Sequence, residues 1–131
     1  MSNAPSRRRT ITVWSLTVIT AVPFAGAGMF KVSGSEQMVT AFADFGFPLW
    51  FMTLIGIGEL ASALALLLPP IAFLGGLGMM VVAGGAVVSH IANGDAVTAA
   101  IPAIVLFVLA SIVAWLRGGD FARTASRLFP G

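Results

Sequence analysis

The chain has 131 residues, of which 58% are hydrophobic and only 9% are charged, and its mean hydropathy is +1.00. So much apolar surface cannot be buried in one water-soluble core of this length, so lipid is the expected solvent. Seven Lys and Arg exceed five Asp and Glu, but these bases cluster at the two chain ends and form no basic face that would follow a phosphate backbone, which argues against nucleic acid as a partner.

Four apolar stretches are each long enough to cross a membrane, because about 20 helical residues span a hydrocarbon core of about 30 Å. The predicted fold class is therefore an all-α, integral membrane bundle of four transmembrane helices. It forms a single membrane domain over residues 1–131, with a basic tail at 1–9 and a second tail at 117–131. The predicted spans are 10–30, 49–68, 71–91 and 96–116.

The segment between the first two spans is predicted to form a short interfacial helix. Ser33 and Glu36 have the spacing of a capping box at its start. Apolar residues at helical spacing lie on one side and polar residues on the other; these are Met38, Val39, Phe42 and Phe45 against Gln37, Thr40 and Asp44.

The end of the chain carries a weaker amphipathic pattern, formed by Phe121, Ala125 and Leu128 beside Arg123 and Arg127. It indicates either a surface helix that meets anionic lipid or a frayed tail.

The placement of the bases predicts the orientation. Three Arg precede the first span and three follow the last, whereas the loops at the other ends of the spans carry Lys31, Glu36, Asp44 and Asp95. The positive-inside rule then places both termini in the cytoplasm and the chain in the cytoplasmic, or inner, membrane. An alternative takes the first span as a cleaved export signal, because Ser6-Arg7-Arg8-Arg9 resembles a twin-arginine start. Cleavage would leave three spans.

Small residues four positions apart predict close helix packing, either within the chain or in a homo-oligomer. The pairs are Ala21/Ala25, Gly58/Ser62, Ala61/Ala65, Ala72/Gly76, Gly85/Ser89 and Ala110/Ala114.

Four segments together resemble the DoxX-like family of small four-helix membrane proteins. They are Phe30–Gly34, Phe45–Pro48, Gly56–Pro70 and Gly78–Asp95, and the similarity extends over most of the chain from Thr10 to Leu116. The family takes its name from a subunit associated with thiosulfate:quinone oxidoreductase, and relatives are linked to membrane redox complexes. The resemblance implies an architecture, and a quinone as a possible cofactor or ligand.

Glu59 is the deepest charged residue, about 15 Å into the second span as counted from Leu49. An acid at this depth indicates a functional site facing the bundle interior or a water-filled cavity, or else a protonated Glu that joins two helices. Lys31 and His90 are expected at the outer span ends, more than about 10 Å away along the membrane normal, and so not to neutralise it. Thr20, Ser62 and the Ile19 carbonyl freed by Pro23 are the uncharged candidate partners.

Lys31 is expected to be an interfacial anchor, and His90 a helix-end residue hydrogen-bonded at the interface. The sequence has no Cys, no Tyr and a single His, so we expect no metal site in the chain and none of the chemistry of thiols. Neither a nucleophile–base pair nor paired carboxylates are visible, which leaves catalysis undecided.

Three functions fit these features. The first is an accessory or ligand-binding subunit that holds a lipophilic molecule such as a quinone beside Glu59, or docks a redox partner protein. The second is a small proton-coupled exporter, in which Glu59 exchanges a proton for a cationic substrate. The third is a structural or assembly factor for another membrane protein.

Overall fold

The computed structural model describes residues 4–131, and this part of the chain is helical with no strand. Its five helices are α1 (Arg7–Val32), α2 (Glu36–Asp44), α3 (Leu49–Leu66), α4 (Ala72–Ala92) and α5 (Val97–Leu128). Among the described residues, α1, α3, α4 and α5 are long and apolar enough to cross a membrane. The four-helix prediction is confirmed, and the chain is an integral membrane protein.

Two helices extend beyond the predicted spans. α1 begins at Arg7, where the Ser6 side chain accepts a hydrogen bond from the backbone N–H of Arg9. α5 does not end at Leu116 but continues through the predicted tail to Leu128. Asp120 pairs with Arg117 and with Arg123, each three residues away, and such spacing supports a continuous helix.

Three helices end in the same way at one end of the bundle. α1, α2 and α4 are followed by Gly34, Gly46 and Gly94 with φ of 70°, 76° and 73°, the left-handed conformation that favours glycine. The predicted capping box is wrong, because Ser33 ends α1 and the N-cap of α2 is Ser35, whose side chain makes no capping hydrogen bond.

Neighbouring helices pack around the bundle in the order α1, α3, α4 and α5, and α5 also contacts α1. Phe24, Leu66, Met79 and Val113 are the large side chains of the core. Small residues bring backbones together where α4 meets α5: a Cβ added at Gly76 would lie 2.7 Å from the Cβ of Ala114. The predicted pairs Ala72/Gly76 and Ala110/Ala114 therefore make contacts within the chain, whereas Gly58 and Gly85 face open space.

α2 lies across the end of the bundle where α1 finishes and α3 begins. Its polar residues Gln37, Thr40 and Asp44 are exposed, and the four apolar residues predicted to lie on the other side are half-buried. Phe42 and Phe45 contact the ring of Phe47, which in turn lies 5.0 Å from that of Phe51 on α3. We call this end, with α2 and these four Phe rings, the aromatic end.

The opposite end carries the start of α1, the turn between α3 and α4, and the last part of α5. All six arginines of the chain lie there, and we call it the arginine end: Arg7, Arg8, Arg9, Arg117, Arg123 and Arg127.

Candidate functional site

A buried ion pair joins α1 and α3 inside the bundle. The Lys31 Nζ atom donates a hydrogen bond to Glu59 Oε1 at 3.1 Å and lies 3.0 Å from Oε2. The side chains are only 12% and 5% exposed. Oε2 is buried and has no aligned hydrogen-bond donor, despite its proximity to Nζ. The two opposite charges therefore compensate each other within an apolar bundle.

The prediction that Lys31 lies too far away to neutralise Glu59 is wrong. A Cβ added at Gly56 would lie 2.8 Å from the Cβ of Lys31, and one at Gly28 would lie 3.1 Å from the Cβ of Glu59. Lys31 is thus level with Gly56, and Glu59 is level with Gly28. Since three residues separate Gly56 from Glu59, the two charged residues differ in depth by only about 5 Å, which a lysine side chain covers.

The prediction assumed that α3 begins at the same depth in the membrane at which α1 ends. Leu49 precedes Gly56 by seven residues, so α3 extends about 10 Å beyond the level of Lys31. The intervening α2 makes this offset possible, because it connects the end of α1 to the more distant level at which α3 begins. Two glycines at the crossing then let the helices approach closely enough for the pair to form.

The uncharged candidates do not bond to Glu59. Thr20 is buried, but its hydroxyl donates to the Leu16 carbonyl of its own helix at 2.7 Å. Ser62 packs against Gly78 of α4 instead, where a Cβ would clash with its Oγ. Within residues 4–131, the Glu59 side chain accepts a hydrogen bond from Lys31, and no hydrogen bond joins it to the Ile19 carbonyl.

His90 lies at the aromatic end, in the last turn of α4, and forms a second polar cluster. Its Nδ1 atom is 2.7 Å from Asp95 Oδ2, and the edge of its ring meets Phe45 with ring centroids 5.1 Å apart. Asn93 donates to the other oxygen of Asp95 at 2.7 Å. The hydrogen bonds from His90 and Asn93 lower the pKa of Asp95 below its usual value of 3.8. Asp95 therefore orients the imidazole of His90 against the ring of Phe45.

Arg117 is a buried charged residue that the sequence interpretation treated only as a base after the last span. Its side chain is 4% exposed, and its guanidinium donates to Thr17 Oγ1 at 3.1 Å and lies 4.5 Å from the ring centre of Trp14. The sequence offers no clear signal for this burial, because Gly118 and Gly119 directly follow Arg117 and such a pair favours the end of a helix.

The described residues contain no group of three or more His, Cys, Asp or Glu side chains placed to hold a metal ion. Lys31 and Glu59 offer a donor and an acceptor in an apolar setting, which suits an uncharged ligand with a carbonyl or hydroxyl group.

Comparison with known proteins identifies a family for this chain. The family model described as the DoxX-like family matches residues 15–113, which are 99 of the 131 residues. The matched range includes Lys31, Glu59, His90 and Asp95, and it ends before Arg117. No curated protein and no solved structure matches the chain.

Proposed function

The chain belongs to the DoxX-like family of membrane proteins, and on that premise we propose that it is an accessory subunit of a membrane redox complex that holds a quinone-like ligand beside Lys31 and Glu59. The observation that carries this proposal is the buried ion pair of Lys31 and Glu59, which places a hydrogen-bond donor and an acceptor side by side within an apolar bundle. An ammonium group has three donors and each carboxylate oxygen has two lone pairs, so both side chains can bond to a ligand as well as to each other.

Lys31 and Glu59 suit both the oxidised form of a quinone, which has carbonyl groups, and its reduced form, which has hydroxyl groups. The Lys31 ammonium can donate to a carbonyl oxygen, and Glu59 Oε2 can accept from a hydroxyl. The phenylalanine rings of the aromatic end provide apolar surface for a ring near the membrane boundary. A bound quinone would supply the electron transfer, for which the chain has no thiol of its own. The chain itself would bind and orient the ring.

The ion pair weakens the case for a proton-coupled exporter. In that function a cationic substrate would have to occupy the carboxylate of Glu59, but the Lys31 ammonium already lies 3.0 Å from it. An assembly factor remains the other candidate. An assembly factor should keep its function in Glu59→Gln, because a purely structural contact needs only a hydrogen-bonding group of the same shape.

We also propose that both termini are cytoplasmic and that the chain lies in the inner membrane. The support is the gathering of all six arginines at the arginine end, while Glu36, Asp44 and Asp95 lie at the other end.

The test is the ligand content of the purified protein. The chain is extracted into mild detergent, and the bound lipophilic compounds are identified by mass spectrometry in the parent, in Glu59→Gln and in Ser111→Ala. Ser111 is a matched control, because its hydroxyl donates at 2.7 Å to the Phe107 carbonyl of its own helix α5. We expect a quinone with the parent and with Ser111→Ala, at least tenfold less with Glu59→Gln, and the same helical content in all three. An equal quinone content in all three variants would contradict the proposal.

A further inference from the structure

A polar cavity opens at the arginine end, far from the Lys31–Glu59 pair and independent of the function proposed for it. Its volume is about 620 Å³, and it lies between the start of α1, the turn after α3 and the last part of α5. Its lining includes Arg9, Trp14, Arg117, Asp120 and Arg123.

The charges that line this cavity do not balance. Three arginines face one carboxylate, so the lining carries a formal charge of +2: Arg9, Arg117 and Arg123 against Asp120. Asp120 is shared, because it pairs with Arg123 and lies 3.5 Å from Nη1 of Arg117. Arg9 is turned toward this region by a hydrogen bond of 3.5 Å from Nη2 to the Leu116 carbonyl. An anion bound in the cavity would offset this excess positive charge.

Arg117 is the fixed part of the site. Its side chain is 96% buried, and it is held by Thr17 from α1 and by the face of the Trp14 ring. Its Nε atom is buried without a hydrogen-bond partner. A buried charged group that lacks part of its hydrogen bonds is costly, and because Arg117 lines the cavity, an oxyanion there would add charge-assisted hydrogen bonds to its guanidinium.

An apolar groove begins at the same tryptophan. It is a shallow surface feature on the lipid-facing side of α1, bordered by Trp14, Ser15, Val18 and Ile19. Val18 and Ile19 are 46% and 56% exposed. Because Trp14 borders both the cavity and the groove, a ligand that fills both must have a charged head and an apolar chain.

We propose that the arginine end binds one anionic phospholipid, with its phosphate in the cavity between Arg9, Arg117 and Arg123 and an acyl chain along the groove. Guanidinium groups match phosphate oxygens in geometry and charge. Trp14 lies at the boundary between head and chain, where aromatic residues are typical of membrane proteins. On the orientation proposed above, the lipid comes from the cytoplasmic leaflet, which attracts basic segments through its anionic lipids.

The test is a lipid titration of the full chain in detergent, followed by native mass spectrometry. The probes are phosphatidylglycerol, phosphatidylcholine and inorganic phosphate. Arg9→Gln/Arg123→Gln removes two exposed cavity arginines. Arg8→Gln/Arg127→Gln is the matched control, because it removes the same charge from exposed positions outside the lining.

We expect the parent to retain one phosphatidylglycerol in preference to phosphatidylcholine. The cavity variant should bind phosphatidylglycerol roughly thirtyfold more weakly, and the control variant within about threefold of the parent. Val18→Trp, which fills the groove without changing charge, should also weaken retention. Inorganic phosphate at millimolar concentration should not displace the lipid.

Three results would overturn the proposal. Equal losses in the cavity and control variants would show general attraction by surface charge. Equal retention of the two lipids would show no charge recognition. Displacement by inorganic phosphate, together with an unchanged Val18→Trp, would show a site for a soluble anion.

Discussion

Gly28 on α1 and Gly56 on α3 pack backbone against backbone: a Cβ at Gly28 would lie 2.8 Å from the Gly56 carbonyl oxygen, and one at Gly56 would lie 3.0 Å from that of Gly28. Each glycine precedes by three residues a member of the buried ion pair, Lys31 or Glu59. The crossing therefore sets the helices at the distance and level at which the two charges meet.

Gly28→Ala should loosen the bundle, whereas Gly26→Ala should not. A methyl group at Gly28 meets the Gly56 carbonyl and the side chains of Leu60 and Glu59, so α1 and α3 must move apart, at a cost of about 1–3 kcal/mol. Gly26 faces open space two residues away and is the matched control. Thermal unfolding in detergent, followed by circular dichroism, compares the two variants. Equal melting temperatures would show that the crossing does not limit packing.

Lys31→Met should destabilise the chain more than Glu59→Gln. Removing the ammonium leaves Glu59 in the bundle without a counter-charge, which typically costs about 3–5 kcal/mol. The Gln variant leaves Lys31 in the last turn of α1, where its long side chain can turn toward the membrane boundary. The double variant Lys31→Met/Glu59→Gln should recover most of the loss from Lys31→Met. Unfolding free energies of the three variants measure this coupling, and additive losses would mean that the pair is not energetically linked.

The turn between α4 and α5 should open in acid. The pKa of Asp95 is lowered by its hydrogen bonds with His90 and Asn93, so the stabilisation is present above the usual value of 3.8 and is lost as the pH falls through the lowered value. Hydrogen exchange at Gly94 and Asp95, measured between pH 5 and pH 2 and corrected for intrinsic rates, should show loss of protection below about pH 4. Asp95→Asn should remove this pH dependence. A turn that stays equally protected throughout would contradict this account of Asp95.

Single cysteines test the orientation, because the chain has no cysteine of its own. We expect a polar, membrane-impermeant reagent to label Gln37→Cys, Thr40→Cys and Asp44→Cys in intact cells, since these positions are exposed on α2. Met38→Cys and Phe42→Cys should label slowly, and Arg127→Cys only after the cells are opened. Labelling of Arg127→Cys in intact cells would reverse the orientation.

The sequence predicted the helices well because membrane spans leave a strong signal. Runs of about 20 apolar residues, ended by Pro69-Pro70 and Asn93-Gly94-Asp95, require nothing beyond local composition. The faces of α2 were also predictable, because exposure follows the helical period.

The contacts of the charged residues were not predictable from length alone. Lys31 meets Glu59 because α3 starts about 10 Å beyond the level of Lys31, an offset that depends on how α2 folds. Arg117 is buried because Thr17 and Trp14 lie opposite it on α1, 100 and 103 positions earlier in the chain. Both facts depend on how the helices are aligned, which no single segment encodes.

Photolabelling reports directly where on the chain a quinone binds. A short-chain benzoquinone with a photoreactive group is irradiated with the purified chain, and the labelled residues are identified by peptide mass spectrometry. We expect labelling of α1 near Lys31 and of α3 near Glu59, and competition by unlabelled quinone. Labelling should decrease roughly tenfold or more in Glu59→Gln and stay unchanged in Ser111→Ala. Labelling spread over the lipid-facing surface, or equal in the parent and in Glu59→Gln, would contradict a quinone site at the Lys31–Glu59 pair.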